Sequence, residues 1–210
     1  MATICPTVTA FTTTEYRQQL ERIQQFALRI HIDFMDGNLS PTVSPSPSEA
    51  WWQPGPKVDL HVMYQKPLEI LEDLVALQPQ LIIIHAEAEG IRDFLIECQD
   101  LGIALGLALL QQTKPKDIIE LLPLIDHVLI FSGNLGHFGG VVDLTLLDKV
   151  KELKKYKPNL EIGWDGGINS SNAATLVNGG VDVLNTGGYI QKATNPEEAY
   201  DTLVKVIEGK

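Results

Sequence analysis

Between positions 28 and 34 the chain alternates, with Leu28, Ile30, Ile32 and Phe34 on one side and Arg29, His31 and Asp33 on the other. A period of two is that of a strand, and residues two apart share a face at roughly 7 Å. The His31 imidazole and the Asp33 carboxylate can therefore lean toward one ion or one substrate atom. The run stops at Asp36-Gly37, before a stretch holding Pro41, Pro45, Pro47, Pro54 and Pro56, so both groups lie near a strand's C-terminal end. Residues 58–63 alternate again and put Asp59 and His61 on one face. Residues 81–84 are continuously apolar and lead to His85. That is the pattern of a strand buried on both faces of a parallel sheet.

The same reading along the chain predicts strands at 4–8, 103–110, 127–131, 160–165 and 181–186 as well. Between them it predicts helices at 13–28 under a threonine cap, 67–76 opened by Pro67, 90–99, 115–122 and 144–156. Another runs to 177 under Ser170 or Ser171, and a last one opens at Asn195-Pro196. Eight strands alternating with about eight helices in 210 residues imply an α/β fold of one domain spanning 1–210, a (β/α)₈ TIM barrel. A doubly wound open sheet is the alternative, but no Gly-x-Gly-x-x-Gly follows the first strand. In a barrel the C-terminal strand ends converge on one mouth.

Composition narrows the function. Hydrophobic residues at 44% and charged residues at 20% describe a soluble globular chain, and no apolar run approaches the roughly 20 residues of a membrane span. The first residues lack the basic and apolar segments of a secretory signal. Cys5 and Cys98 can form no disulfide framework and have no metal-type spacing, so both read as core filler and the cytoplasm is the expected location. A net charge of −11 argues against a nucleic-acid binder, and Lys151, Lys154, Lys155 and Lys157 read as the solvated end of a helix.

Barrel geometry changes what the polar strand ends mean. His31 and Asp33, His61, His85 and Asp165 all close strands, while His127 begins one and belongs to the opposite end. Two histidines and two carboxylates of inward parity suit Zn²⁺, Fe²⁺, Mn²⁺ or Co²⁺ better than Mg²⁺ or Ca²⁺. Glycine pairs Gly139-Gly140, Gly166-Gly167 and Gly187-Gly188 follow the last three strands, where barrels commonly hold phosphate. No Lys or Arg lies in these loops, so a phosphate there is expected to rely on backbone donors.

Taken together, His31-Ile32-Asp33-Phe34-Met35-Asp36-Gly37, Asp59-Leu60-His61-Val62-Met63, Ile84-His85-Ala86-Glu87, Phe138-Gly139-Gly140, Asp165-Gly166-Gly167-Ile168 and Gly187-Gly188 resemble, in order, the motifs of ribulose-phosphate 3-epimerases. The resemblance implies a (β/α)₈ barrel that interconverts D-ribulose 5-phosphate and D-xylulose 5-phosphate with one divalent metal ion, in the pentose phosphate network. It implies metal ligands His31, Asp33, His61 and Asp165, with Asp33 and Asp165 also the paired acid and base. Thr7, Met35, His61, Met63 and the six glycines become substrate-binding residues. It also implies a homo-oligomer, a dimer or hexamer, with no nucleic-acid or membrane partner.

The chain departs from that pattern in four places. Pro6-Thr7 stands for the family's Pro-Ser, Phe131 for a methionine, and Gly187-Gly188 for Gly-Ser. The loop from Asn134 to Gly140 carries one extra residue, with His137 inside it. These changes touch the phosphate loops and the wall of the site, and they leave two rivals. One is a 3-epimerase of a six-carbon ketose phosphate such as allulose 6-phosphate. The other is a non-catalytic barrel that binds a sugar phosphate or a metal.

Overall fold

The computed structural model describes residues 2–137 and 139–209; Phe138 of the glycine motif lies outside them. Eight parallel strands close into a barrel in chain order: β1 (Thr3–Val8), β2 (Arg29–Met35), β3 (Lys57–Met63), β4 (Leu81–His85), β5 (Ala104–Leu109), β6 (His127–Phe131), β7 (Glu161–Asp165) and β8 (Val183–Thr186). The α-helices that cover it are α1 (Thr13–Ile23), α2 (Leu71–Ala76), α3 (Ile91–Cys98), α4 (Leu147–Tyr156), α5 (Ala173–Asn178), α6 (Gly188–Gln191) and α7 (Pro196–Glu208).

Alternation along the strands divides the buried residues into two populations. Outward residues such as Ile30, Ile32 and Phe34 of β2, Leu60 and Val62 of β3, and Trp164 of β7 join one large apolar cluster with the helices. Burying each such side chain contributes roughly 1.5–3 kcal/mol. Inside the barrel the apolar cluster is small: Leu81, Ile83, Ala108 and Leu129, all from β4, β5 and β6. The inward positions of β1, β2, β3, β7 and β8 are instead largely polar. Register aligns them in layers, Asp33 with His61, His31 with Asp59, and Asp165 with Asn185.

Several boundaries differ from the sequence reading. The first helix stops at Ile23 instead of Leu28, because the amides of Phe26 and Ala27 both turn back onto the Ile23 carbonyl; Leu28 is left 75% exposed. Its cap is Thr12, whose hydroxyl accepts from the Glu15 amide at 3.2 Å. Residues Pro115–Leu124 form a 3₁₀ helix throughout, running through Pro123, which has no amide to donate to an α-helical ladder. Ser170 and Ser171 do not cap α5: Asn172 stands at that position, and its Oδ1 accepts from the Asn169 amide. Helix α6, directly behind Gly187, has no counterpart among the predicted elements.

Candidate active site

Each site residue is placed by strand parity and register. Asp33 and His61 are register partners on β2 and β3, and His61 Nδ1 lies 2.9 Å from Asp33 Oδ1. His31 Nε2 is 3.2 Å from the same oxygen but not aligned for a hydrogen bond, so neither ring nitrogen of this fully buried imidazole has a partner. Asp165, on β7 across the barrel, brings Oδ2 to 3.9 Å from His31 Nε2 and 3.8 Å from His61 Nδ1. One donor atom from each of His31, Asp33, His61 and Asp165 lies within 4.8 Å of the others.

The electrostatics of this cluster set its two carboxylates apart. Burial, then the Asp33 charge, pushes the Asp165 carboxyl up to about 7. Burial acts on Asp33 in the same direction, but the neighbouring His31 and His61 imidazoles outweigh it and hold that carboxyl well below its usual range. Burial lowers the His61 imidazole to about 4. Two imidazoles, one of them with both nitrogens unpartnered, and two carboxylates fit a divalent ion, and a bound ion would remove the conflict between the two carboxylates.

Behind His61 the polar chain continues. His61 Nε2 is 2.9 Å from His85 Nε2, and His85 Nδ1 is 3.2 Å from Glu87 Oε2. The other Glu87 oxygen accepts from the Thr113 hydroxyl and the Leu110 amide. Lys149 holds that loop by donating to the carbonyls of Leu110, Gln111 and Thr113 at 2.7–2.8 Å. His85 therefore stands behind a ligand and is not one of the four. If His61 gives Nδ1 to an ion, its Nε2 carries the proton toward His85, which must then donate from Nδ1 to Glu87.

A cavity of about 290 Å³ opens above the cluster, bounded by Asp33 and Asp165 and by all six glycines of the three pairs. Thr7 and Met63 line it as the sequence suggested, whereas Met35 is sealed behind the wall, with its sulfur accepting from the Thr42 hydroxyl. His31 and His61 are buried beneath Asp33 and Asp165 and reach no cavity surface. Gly166 and Gly167 have φ of +110° and +73°, and an added Cβ would lie 2.3 Å from the Gly133 nitrogen and 2.6 Å from the Val142 nitrogen. Glycine is required there for backbone to pack on backbone. Nothing lies within 4 Å of a Cβ at Gly188, so that position has room for a side chain.

Comparison with known proteins agrees with this architecture. The model of the ribulose-phosphate 3 epimerase family matches residues 3–191. The chain belongs to that family. It is 34% identical over 189 residues to a ribulose-phosphate 3-epimerase of Helicobacter pylori, covering 86% of this chain and 87% of the relative. A ribulose-phosphate 3-epimerase of Treponema pallidum is 28% identical, with 79% of each chain covered. Among solved structures, 3-keto-L-gulonate-6-phosphate decarboxylase of Vibrio cholerae superposes with a TM-score of 0.75 at 12% identity, covering 99% of this chain and 98% of that one, a likeness of fold alone. Family membership makes the chain an isomerase of the epimerase type that acts on carbohydrate phosphates.

Residues outside the family motifs also reach the cavity. Thr9 donates to Asp33 Oδ2 at 2.6 Å, and it sits one strand period beyond Thr7. Lys192 brings the cation that the glycine loops themselves lack: it lies four residues past Gly188, one turn along α6, and lines the same cavity. His137 of the lengthened loop lines it too. Asn185 lies in the floor, in register with Asp165. Its position two residues before Gly187 gave the inward parity, but a lone asparagine in an apolar strand carries no chemical motif.

Proposed function

We propose that this protein interconverts D-ribulose 5-phosphate and D-xylulose 5-phosphate by inverting C3. The observation that carries the reading is the pair Asp33 and Asp165, which approach one space from β2 and β7 and both border the cavity. Inversion next to a ketone needs a weakly acidic proton removed from one face and returned on the other. One carboxylate takes that proton, leaving an enediolate, and the second delivers a proton to the opposite face. Which of the two is base depends on the direction of reaction.

His31, Asp33, His61 and Asp165 would hold one divalent ion, Zn²⁺, Fe²⁺, Mn²⁺ or Co²⁺. When bound, such an ion supplies Lewis acidity at the ketone and neighbouring hydroxyl oxygens. Thr9 orients Asp33 through its 2.6 Å hydrogen bond. The glycine backbones and Lys192 take the phosphate and hold C3 between the two carboxylates. Cys5 and Cys98 are buried free thiols, which suits a reducing cytoplasm. Association into a dimer or hexamer follows the family.

One observation favours a rival substrate. A second, more open surface depression has Phe131, Gly133 and His137 in common with the first, and a longer sugar chain would extend toward it. Proton NMR in D₂O with D-ribulose 5-phosphate, with added Mn²⁺, Zn²⁺ or Fe²⁺ and again after chelation, separates the readings. Metal-dependent deuterium at C3 with xylulose 5-phosphate appearing is the expected result. Exchange only with allulose 6-phosphate would select the six-carbon substrate, and no exchange with either would leave a binding barrel.

A further inference from the structure

Asn185 is 2% exposed, and neither its Oδ1 nor its Nδ2 has a hydrogen-bond partner. Thr7 is equally buried, and its hydroxyl is also unpartnered. Both line the cavity. Asn185 pairs with Cys5 on β1 and with Asp165 on β7, and Thr7 is the next inward position of β1 beyond Cys5. A buried amide left without partners is costly, and almost all such groups in folded proteins are satisfied. The register neighbours Cys5 and Asp165 give the amide no hydrogen bond, and the cavity that Asn185 lines is where a partner can approach it.

We propose that Asn185 is a specificity-determining residue that reads one hydroxyl of the sugar phosphate beside the reacting carbon, that at C1 or that at C4, with Thr7 alongside it. This rests on the cavity binding a ketose phosphate. An amide donates and accepts at once, so it can satisfy both the proton and a lone pair of a single hydroxyl. It is also neutral, and so adds no charge beside Asp165. A pocket with such a group discriminates strongly against a ligand that lacks the hydroxyl, since the amide is then left unpaired.

Asn185→Leu keeps the shape and removes both polar atoms. In the ligand-free protein this variant is expected to melt no lower than wild type, because an unsatisfied buried amide is replaced by an apolar isostere. Its kcat/KM for D-ribulose 5-phosphate is expected to fall about 10- to 100-fold. The inhibition constants of 1-deoxy-D-xylulose 5-phosphate and of the 4-deoxy analogue of D-ribulose 5-phosphate then identify the hydroxyl. The analogue that lacks it binds wild type and Asn185→Leu equally, while the other loses affinity in the variant. Full kcat/KM in Asn185→Leu, or equal losses for both analogues, overturns the proposal while the function stands. Wild-type protein that neither binds nor turns over D-ribulose 5-phosphate overturns the function, and the proposal with it.

Discussion

The barrel holds a cluster of imidazole and carboxylate groups at each end, and among the described residues the lower cluster alone has an arginine within it. At the N-terminal end Arg29 donates from Nε to Asp59 at 2.6 Å and from both terminal nitrogens to Glu161 at 2.9 Å, and His127 Nδ1 lies 2.8 Å from Glu161. Burial disfavours the Arg29 charge, but Glu161 and then Asp59 outweigh it and hold the guanidinium charged. Gly163 keeps this end tight, since a Cβ there would lie 2.5 Å from His127 Nε2. At the C-terminal end His31, Asp33, His61 and Asp165 have no Lys or Arg among them, and two of the four border a cavity. The residue types are nearly the same. Charge supplied from within makes the lower cluster a plug, whereas the upper cluster has no such side chain within it and faces a cavity.

The largest effect that tests this contrast belongs to the upper pair. Asp33→Asn and Asp165→Asn are each expected to lower turnover on the order of 10²–10⁴-fold. After chelation Asp165→Asn should keep or raise the Tm, because a carboxylate that burial and the Asp33 charge disfavour is gone. Turnover by NMR and melting curves check the two halves together. A variant that loses turnover only by unfolding would make the upper cluster structural as well.

Arg29→Met reverses the pattern. It leaves Asp59 buried without its cation, a loss on the order of 3 kcal/mol. Denaturant unfolding should record that loss, while kcat measured on folded protein stays near wild type. A collapse of kcat with stability intact would mean that the lower cluster governs the upper one.

A smaller effect belongs to the chain behind His61. Glu87→Gln removes the anion that receives the His85 Nδ1 proton, and the affinity for Zn²⁺ or Mn²⁺ measured against a competing chelator is expected to fall about 10-fold. The metal-free Tm should hardly move, since the amide can still accept from Thr113 and Leu110. Unchanged metal affinity would reduce His85 and Glu87 to packing.

The contrast between the ends also marks how far the sequence could be read. Alternation in β2 and β3 and the apolar run of β4 were enough for the barrel, because a strand's two faces are encoded locally. The direction of the chain then sorted His127 to one end and His31, Asp33, His61 and Asp165 to the other. What stayed hidden depends on contacts across the barrel. Arg29 looked like one more polar residue of β2 until Glu161, from the seventh strand, was seen to share it. Lys192 was invisible because α6 is a single turn set by its packing. Asn185 has no motif at all, and its meaning lies in the partners it lacks.

The smallest expected effect is one of pH, at the lower cluster. Burial raises the Glu161 carboxyl, but hydrogen bonds from His127 and Arg29 and their charges bring it well below its ordinary value of 4.5. A carboxyl depressed in the folded state contributes stability above its unfolded value, and that contribution is lost as pH falls through the folded value. The Glu161 side chain is 39% exposed, so solvent screens the pair and the contribution is on the order of 1 kcal/mol or less. Glu161→Gln should therefore lower Tm by a small, constant amount from neutral pH down to about 4.5, and the gap to wild type should close below that. Turnover at neutral pH should be unaffected, since no residue of the lower cluster borders the cavity. A gap that stays open in acid would place the stabilisation in shape and hydrogen bonding, and the lower cluster would then hold the barrel without using its charge.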